Sequence, residues 1–529
     1  MLYSEGRQSG EKGIHSLILV CILSALFCLT GCNDKDQNPN KEISLTAFSD
    51  WKTSGYSINS HKIRDGIDKL RRADKDSIAS DYYTRAYYSN ASPFLWIDRS
   101  GVDNRADTLL AVLKTVEAMG FGRNAFCVDL LERDIKCIRN LDFGDSPQKI
   151  NQTMAAVEYR LTKAYLRYVI GQRFGFVNPN RLFNQLDPLP CDSTERPKGF
   201  RKLFDANVER PGNAFYAKAL RQISRDSLGP FLRSVRPVED MYYRLEANLA
   251  KAKGVSERRR LLCNMERCRW RGCSPYGHKG KYVVVNIPAF HLYAYADDSV
   301  ASMRVGCGSM KTKTPILNSA IERMDVNPVW NIPMSIIKND VSRHVGDEEY
   351  FERNKYYIVE RQTGKRLPVE SVTHDMLLSG SCRVLQEGGT GNALGRIIFR
   401  FPNNFSVFLH DTSNPGVFQR DFRGVSHGCV RVERPFDLAA FLLDRPDEWL
   451  LDKLRISMDL PPQTERGRAY VDAGHENNRL VSSLKVEPRV PIYVTYFTLY
   501  PNPQGQLVAF PDVYGYDDVL WRWIKPLTH

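Results

Sequence analysis

The spacing of hydrophobic residues changes from a helical to a strand-like period about halfway along the chain. In the first half, apolar side chains recur every three or four residues in two stripes, Leu109, Leu110, Leu113, Val116 and Met119, and Met154, Val157, Leu161, Ala164, Tyr165 and Tyr168. This spacing predicts amphipathic helices whose apolar faces form a core. Gly120 stands where a C-terminal cap is expected, and Tyr242–Arg260 predicts a further helix pair.

The second half has the composition of short β-strands. Runs rich in β-branched and aromatic residues occur at Lys281–Asn286, Phe290–Tyr295, Val300–Val305, Arg396–Phe401, Phe405–His410, Pro491–Tyr500 and Leu507–Phe510. Turn residues separate two pairs of these runs, at Pro402–Asn404 and Pro501–Gln506, which predicts two hairpins. Pro435 begins a predicted helix over Phe436–Leu443. A helical region therefore precedes a β-rich region, and the predicted class is α+β multidomain.

The N-terminus has the features of an export signal. Arg7 and Lys12 precede the uncharged run Ser16–Gly31, which is shorter than the ~20 apolar residues that span a bilayer. Leu29–Cys32 resembles the bacterial lipobox, so residues 1–32 are predicted to be a lipoprotein signal peptide and Cys32 the lipidated first residue of the mature chain. Residues 33–50 would form a polar tether. The predicted location is the cell envelope, as a membrane-anchored lipoprotein facing the periplasm; an ordinary signal peptide containing a cysteine is the alternative.

Length and composition are those of a globular protein of several domains. The chain has 529 residues, of which 42% are hydrophobic and 26% charged. Its net charge of +13 fits either a surface that attracts anionic cell-wall polymers or an ordinary solvated basic surface. No nucleic-acid-binding motif is present, so nucleic acid is not a predicted partner.

Twelve cysteines occur, and nine remain after Cys21 and Cys28 leave with the signal and Cys32 takes lipid. Nine is odd, so at least one thiol stays free even if the others pair. Cys263, Cys268 and Cys273 are five residues apart, which matches no common zinc motif. Disulfides or buried free thiols are expected for these three.

The stretch SHGCVRVE, Ser426–Glu433, contains the strongest candidate for catalytic chemistry. A cysteine acts as a nucleophile only as the thiolate, so Cys429 needs a nearby base or cation. His427 is only two residues away in the same short stretch, and we do not assign it as the base. His410 ends the predicted strand Phe405–His410, and a strand-to-loop turn could bring it beside Cys429, so we assign the base to His410.

The residues around Cys429 suggest further roles and leave alternatives open. Backbone N–H groups at Gly428 and Cys429 could form an oxyanion hole, because glycine allows the turn to face them inward. Arg431 adds positive charge for a substrate carboxylate or for the turn, or is only a surface charge. The cysteine could instead be a buried structural thiol, or it could bind a metal with His427 and His410. A fourth ligand for that metal is missing, so no metal is predicted.

These residues resemble a known family. Ser426–Arg431, preceded by Leu409–Thr412, resembles the signature of the L,D-transpeptidase (YkuD-type) catalytic domain. Other segments resemble it in the same order: Tyr282–Phe290, Thr314-Pro315, Asn327–Pro333, Gly391–Gly395 and Phe401–Asn403. Asn264–Trp270 and Arg160–Gly175 resemble parts of the large periplasmic subfamily with an N-terminal helical scaffold domain. Together the resemblance covers about Tyr82 to Tyr516.

The resemblance implies a β-sandwich-like catalytic domain that cross-links peptidoglycan without metal or cofactor. Its partners would be tetrapeptide donor and acceptor stems. Cys429 would attack the carbonyl between the third and fourth residues of the donor, releasing D-alanine and leaving a thioester. A side-chain amine on the third residue of an acceptor would then take the acyl group, giving a 3-3 cross-link. Carbapenems would acylate the same cysteine.

The resemblance also implies roles for the neighbouring residues. His410 would take the thiol proton and later activate the acceptor amine, held in place by the backbone carbonyl of Asp411. His427 and Gly428, with Ser426, would shape the oxyanion turn. Arg431 would support the loop or hold a substrate carboxylate.

The predicted domains follow from the pattern and the resemblance together. Residues 51–275 form the helical scaffold domain, 276–460 the catalytic domain with a capping lid at about 336–389, and 461–529 a C-terminal segment with a closing β-hairpin. Relatives of this size usually insert a peptidoglycan-binding domain before Asn264, and its pattern is absent from this sequence. Gly388-Gly389 could be the hinge of the lid. The alternative is that residues 336–389 are a structural insertion that does not open or close over the active site.

Two other functions remain open from the sequence. An L,D-carboxypeptidase would hydrolyse the same thioester with water, using the same cysteine and histidine. A non-catalytic cell-wall-binding lipoprotein would not need His410, Gly428 and Cys429 together, and all three are present.

Overall fold

In a computed structural model of the chain, the residues described are 52–53, 56–90, 92–98, 101–143, 146, 149–189, 199–223, 227–274, 278–297, 299–475 and 479–528. The predicted signal peptide, Cys32 and the tether lie outside these residues. Within the described part, no helix is both long and apolar enough to cross a membrane. The chain divides into two compact units.

The first unit consists of the described parts of Met1–Thr115, Phe126–Val169 and Gly212–Val235, and it is helical as predicted. Its helices are Ser60–Ala73, Ala79–Ser89, Arg105–Leu113, Val128–Asn140, the first part of Lys149–Phe174, Asn213–Ile223 and Leu228–Ser234. The predicted stripe from Met154 to Tyr168 lies on the longest of them and is buried. A buried carboxylate, Glu158, accepts hydrogen bonds from the backbone N–H groups of Leu95 and Trp96 and from the Tyr88 hydroxyl, so its burial is compensated.

The second unit comprises Val116–Ala125, Ile170–Pro211 and Arg236–His529 in their described parts. Its helices are Pro179–Phe183, Asp240–Leu249, Val255–Arg269, Met334–Asn339, Glu348–Arg353, His374–Ser379, Pro435–Leu442, Glu448–Ser457, Glu465–Tyr470 and Tyr516–Ile524. The pair predicted over Tyr242–Arg260 is present as the second and third of these. The stripe Leu109–Met119 was expected to form one helix ending at Gly120, but the α-helix ends at Leu113 and Val116–Met119 is a separate 3-10 turn. Gly120 follows that turn with φ +87°, a conformation that terminates helices.

A ten-stranded sheet forms the main part of this unit. Its strands are β1 (Phe204–Asp205), β2 (Tyr282–Asn286), β3 (His291–Ala296), β4 (Ser299–Gly308), β5 (Ile316–Val326), β6 (Ile397–Arg400), β7 (Leu409–His410), β8 (Gly424–Ser426), β9 (Val430–Val432) and β10 (Ser483–Thr495). The order is β6-β7-β9-β4-β3-β2-β10-β5-β1; β8 lies off this path and pairs with β4, and β6 also pairs with β5. Because β6 pairs with β5 as well as with β7, the strands from β6 to β5 close into a ring and leave no unpaired edge among themselves. The sheet encloses a core of apolar side chains.

The C-terminal part of the chain belongs to this sheet. We expected one hairpin from Pro491–Tyr500 and Leu507–Phe510, but the first run is divided. Its beginning extends β10, which pairs in parallel with β2 and antiparallel with β5, whereas only Leu499–Pro501 pairs with Leu507–Ala509. The sequence run was correctly identified as extended, but its partners depend on the register of distant strands.

The segment predicted as a lid contains a small subdomain with its own core. Four strands, Trp330–Asn331, Tyr356–Glu360, Arg366–Leu367 and Cys382–Gln386, form a separate sheet, covered by three of the short helices. At its exit, a side chain on Gly388 would overlap the backbone carbonyl of Asn327, so glycine is required there for close packing. The Gly388 carbonyl also accepts a hydrogen bond from Arg479. A gating role for this subdomain stays a prediction.

The described cysteines are all free thiols. Cys263, Cys268 and Cys273 are buried and unpaired, which is the second of the two expectations for them.

Candidate active site

The register of two parallel strands brings the predicted residues together. In the pairing of β7 with β9, Leu409 lies opposite Val430 and His410 lies opposite Arg431. Leu409 and Val430 are fully buried in the core. Because side chains alternate along a strand, Arg431, His410 and Cys429 lie on the other face. The structure therefore places the predicted nucleophile, base and cation on one side of adjacent strands.

The turn before the cysteine is held by the Ser426 side chain. Its hydroxyl accepts a hydrogen bond from the Gly428 N–H at 3.0 Å and donates one to the Cys429 carbonyl at 2.5 Å. Gly428 has φ +119°, a conformation that requires glycine. In this structure the Gly428 N–H, which we expected to contribute to an oxyanion hole, is thus engaged by the Ser426 hydroxyl. The Cys429 N–H donates no hydrogen bond within the described part of the chain and is the donor that remains.

The loop between β4 and β5 holds the same turn from the other side. The Thr312 hydroxyl and the Ser309 N–H both donate to the Ser426 carbonyl, at 2.7 and 3.0 Å. The Thr314 hydroxyl donates to the Gly428 carbonyl at 2.8 Å. Sequence reasoning used Thr314 only as part of a family resemblance and did not assign it a contact. The sequence around Thr312 and Thr314 does not indicate which distant backbone groups their hydroxyls would bind.

His410 is buried and oriented by backbone carbonyls. Its Nδ1 lies 2.5 Å from the carbonyl oxygen of Asp411, and the Leu394 backbone also accepts a hydrogen bond from the ring. Burial lowers the pKa of His410 to about 4; Arg431 also lowers it, and the two backbone hydrogen bonds partly oppose the shift. The imidazole is therefore neutral at pH 7, which is the form that accepts a proton.

Asp411 contributes through both its backbone and its side chain. Its carboxylate accepts the Arg396 N–H at 2.8 Å and packs against Gly395, where any side chain would overlap it. Burial raises the pKa of this carboxyl, while the Arg396 and Thr412 backbone N–H groups oppose the shift. The side chain thus fixes the peptide whose carbonyl orients His410.

The Cys429 thiol is partly exposed and protonated at rest. Its sulfur lies 3.8 Å from the Ser406 carbonyl oxygen. Burial raises the pKa of Cys429, and both the Phe408 backbone N–H and the Arg431 charge oppose that rise. A protonated thiol on the same strand face as a neutral imidazole requires the proton to move during attack, as in general-base catalysis.

Arg431 is a half-buried cation that faces the cysteine. Burial lowers the pKa of Arg431, and Cys429 raises it. Its Nε is buried without a hydrogen-bond partner, and the described residues provide no carboxylate ion pair for it. A half-buried guanidinium without an anion favours binding of a carboxylate. His427, by contrast, is exposed.

Comparison with known proteins shows which families two parts of the chain match. Residues 280–454 match the family model of the L,D-transpeptidase catalytic domain (YkuD), and residues 81–249 match that of the Scaffold domain. A protein of Haemophilus influenzae named "Putative L,D-transpeptidase" is 29% identical over 330 residues. That alignment covers 60% of this chain and 62% of the relative, which is less than two thirds of its length. The β-rich domain that carries the cysteine and histidine is thus a YkuD-type L,D-transpeptidase catalytic domain, and a scaffold domain precedes it in the chain.

Burial of a neutral His410 predicts a specific dependence of stability on pH. The pKa falls from its ordinary value of 6.5 in the unfolded chain to about 4 in the folded protein. Between these values the unfolded chain binds a proton that the native state does not, so the free energy of unfolding falls as the pH drops below 6.5 and this loss levels off below about pH 4. The full effect is about 3 kcal/mol.

Urea unfolding of the wild type and of His410→Gln between pH 4 and 8 measures this contribution. Between pH 8 and pH 4, the free energy of unfolding of the variant should fall by about 3 kcal/mol less than that of the wild type. Parallel curves for the two proteins would contradict the burial of a neutral imidazole.

Proposed function

We propose that the protein is a peptidoglycan L,D-transpeptidase that forms 3-3 cross-links through a cysteinyl thioester. The observation that supports this most is the common face of β7 and β9, which carries a thiol, a neutral oriented imidazole and an unpaired guanidinium. The substrates are tetrapeptide donor and acceptor stems. No metal or cofactor is needed for this chemistry.

The first half-reaction forms the acyl-enzyme. The Cys429 sulfur attacks the carbonyl carbon between the third and fourth stem residues, and the thiol proton moves to His410. The oxyanion that forms accepts a hydrogen bond from the Cys429 N–H. The C–N bond then breaks, D-alanine leaves with the proton from the imidazolium, and the donor remains as a thioester.

The second half-reaction transfers the acyl group. A side-chain amine of the acceptor attacks the thioester, His410 accepts the amine proton, and the sulfur leaves and regains a proton as the thiol. Arg431 supports this reaction because its unpaired guanidinium can hold a stem carboxylate beside the reacting carbonyl.

Product analysis separates this reaction from hydrolysis by an L,D-carboxypeptidase. Purified protein incubated with tetrapeptide stems that carry a free side-chain amine should yield dimers joined third residue to third residue, detected by mass spectrometry. Blocking the acceptor amine by acetylation is the matched control, and it should leave only shortened monomers. If shortened monomers predominate even with the free amine, the carboxypeptidase is the correct function, and unchanged stems would favour a cell-wall-binding lipoprotein.

We also propose that the protein is a periplasm-facing lipoprotein anchored through Cys32. The proposal rests on the sequence Leu29–Cys32 at the end of an uncharged run. Cys32→Ala should move the protein from the membrane to the soluble fraction, and the wild type should carry acyl chains on Cys32 in its intact mass. Cys21→Ala is the matched control and should leave fractionation unchanged. Cleavage at another residue, or a mature mass without acyl groups, would disprove the anchor.

A further inference from the structure

A chain of buried hydrogen bonds connects the C-terminal segment to the peptide bond that precedes the nucleophile. The Tyr514 hydroxyl donates to the Gly308 carbonyl at 2.6 Å and accepts the Thr314 N–H at 3.2 Å. The Thr314 hydroxyl accepts the Gly308 N–H at 2.8 Å and donates to the Gly428 carbonyl at 2.8 Å. Thr314 is 0% exposed and Tyr514 is 4% exposed, so water does not compete for these bonds.

The direction of each hydrogen bond is fixed by the available protons. A hydroxyl has one proton, and that of Tyr514 goes to a carbonyl, so the bond from the Thr314 N–H must end on its lone pair. The Thr314 hydroxyl likewise accepts from an N–H and gives its proton to the Gly428 carbonyl. Donation to this carbonyl polarises the Gly428–Cys429 peptide and makes its N–H a stronger donor. That N–H is the oxyanion donor left free by Ser426.

Tyr514 is itself held rigidly by neighbouring residues of the C-terminal segment. Its backbone N–H donates to the Tyr496 hydroxyl at 2.7 Å, and that hydroxyl donates to Asp512 at 2.5 Å. Asp512 also accepts the backbone N–H groups of Tyr516 and Asp517, at 2.8 and 2.9 Å. All of these residues lie beyond residue 454, where the match to the catalytic-domain family ends.

We propose that Thr314 and Tyr514 are positioning residues that orient and polarise the Gly428–Cys429 peptide, so that the Cys429 N–H stabilises the oxyanion. The C-terminal segment thereby completes the active site of the catalytic domain. This inference rests on the proposed role of Cys429 as the nucleophile, but it does not depend on the identity of the peptide substrate.

Two small probes distinguish oxyanion stabilisation from thiol reactivity. With p-nitrophenyl acetate, the Cys429 sulfur attacks the ester carbonyl and the thiol proton passes to His410. A tetrahedral oxyanion forms, and the C–O bond then breaks to give an acetyl thioester and p-nitrophenolate. With iodoacetamide, the sulfur displaces iodide from carbon and no oxyanion forms. Each rate is measured at Cys429 by mass spectrometry, with Cys429→Ala as the blank.

Removal of either hydroxyl should slow acylation selectively. Loss of one oxyanion donor costs about 10²–10³ in rate, and loss of a group that only positions that donor should cost less. We expect Thr314→Val to lower the acylation rate about 10-fold to 100-fold and Tyr514→Phe about 3-fold to 10-fold, with alkylation by iodoacetamide unchanged within about twofold in both. Thr314→Ser keeps the hydroxyl and should restore most of the acylation rate.

The controls decide between positioning and general support of the fold. Tyr500→Phe removes another buried tyrosine hydroxyl of the same unit and should change neither rate. Equal losses of acylation and alkylation in Thr314→Val and Tyr514→Phe would indicate only structural damage and would overturn the proposal, as would wild-type acylation rates in both variants. A wild type that reacts with the ester but forms no stem dimers would disprove the proposed transpeptidation while leaving this inference standing.

Discussion

Cys429→Ala is expected to abolish acyl-enzyme formation and every product derived from it. The sulfur is the only atom that can form the thioester, and no other group on the same face of β7 and β9 is a nucleophile of comparable strength. Purified wild type incubated with a carbapenem should gain the mass of one adduct on Cys429, and the variant should gain none. The same variant should form no dimers from tetrapeptide stems, a loss of at least about 10³-fold in rate.

Cys307→Ala provides the matched control for this experiment. Cys307 is a fully buried thiol in β4, directly before Gly308, and burial raises its pKa to about 12. It should therefore not react, and its replacement should leave the adduct and the dimers in place. An adduct on another cysteine, or dimers formed by Cys429→Ala, would end the assignment of Cys429 as the nucleophile.

His410→Ala should have the second-largest effect. The thiol of Cys429 is protonated at rest because burial raises its pKa, so attack requires a base. His410 is held neutral and oriented by the Asp411 carbonyl, which suits it to that role. We expect the acylation rate to fall by about 10²–10⁴, the usual range for loss of a general base. Stopped-flow measurement of carbapenem acylation gives this rate directly.

His427→Ala is the internal comparison for His410→Ala. His427 is exposed and lies next to Gly428 in the turn, so its loss should reduce acylation far less than the loss of His410. If His410→Ala acylates at the wild-type rate and His427→Ala does not, the two assignments are reversed.

Local sequence patterns predicted a helix or strand correctly where the residues that determine it lie within that same segment of the chain. The stripe from Met154 to Tyr168 forms a buried helix face because helical periodicity depends only on neighbouring residues. Pro435 begins a helix at its first turn for the same reason. The run from Pro491 to Tyr500 was predicted as extended, but its division between β10 and a short hairpin depends on strands more than 150 residues away.

The sequence alone also determined which residues the candidate site needs. A cysteine in the stretch Ser426–Arg431 and a histidine at the end of a predicted strand favoured nucleophilic catalysis, and the family resemblance implied the same chemistry, while a metal site and a structural thiol remained as alternatives. The tertiary structure decided how they meet. Parallel pairing of β7 with β9 sets His410 opposite Arg431, and no local pattern specifies that pairing.

The oxyanion donor was likewise determined partly by the local sequence and partly by the tertiary structure. The glycine at position 428 correctly indicated a left-handed turn, because φ +119° requires a residue without a side chain. The sequence could not show that the Ser426 hydroxyl takes the Gly428 N–H, that Thr314 reaches the Gly428 carbonyl from 114 positions away, or that Tyr514 bonds to Thr314 from 200 positions away. Hydrogen bonds between residues so distant in the chain form only once the sheet has closed, so they are determined by the tertiary fold.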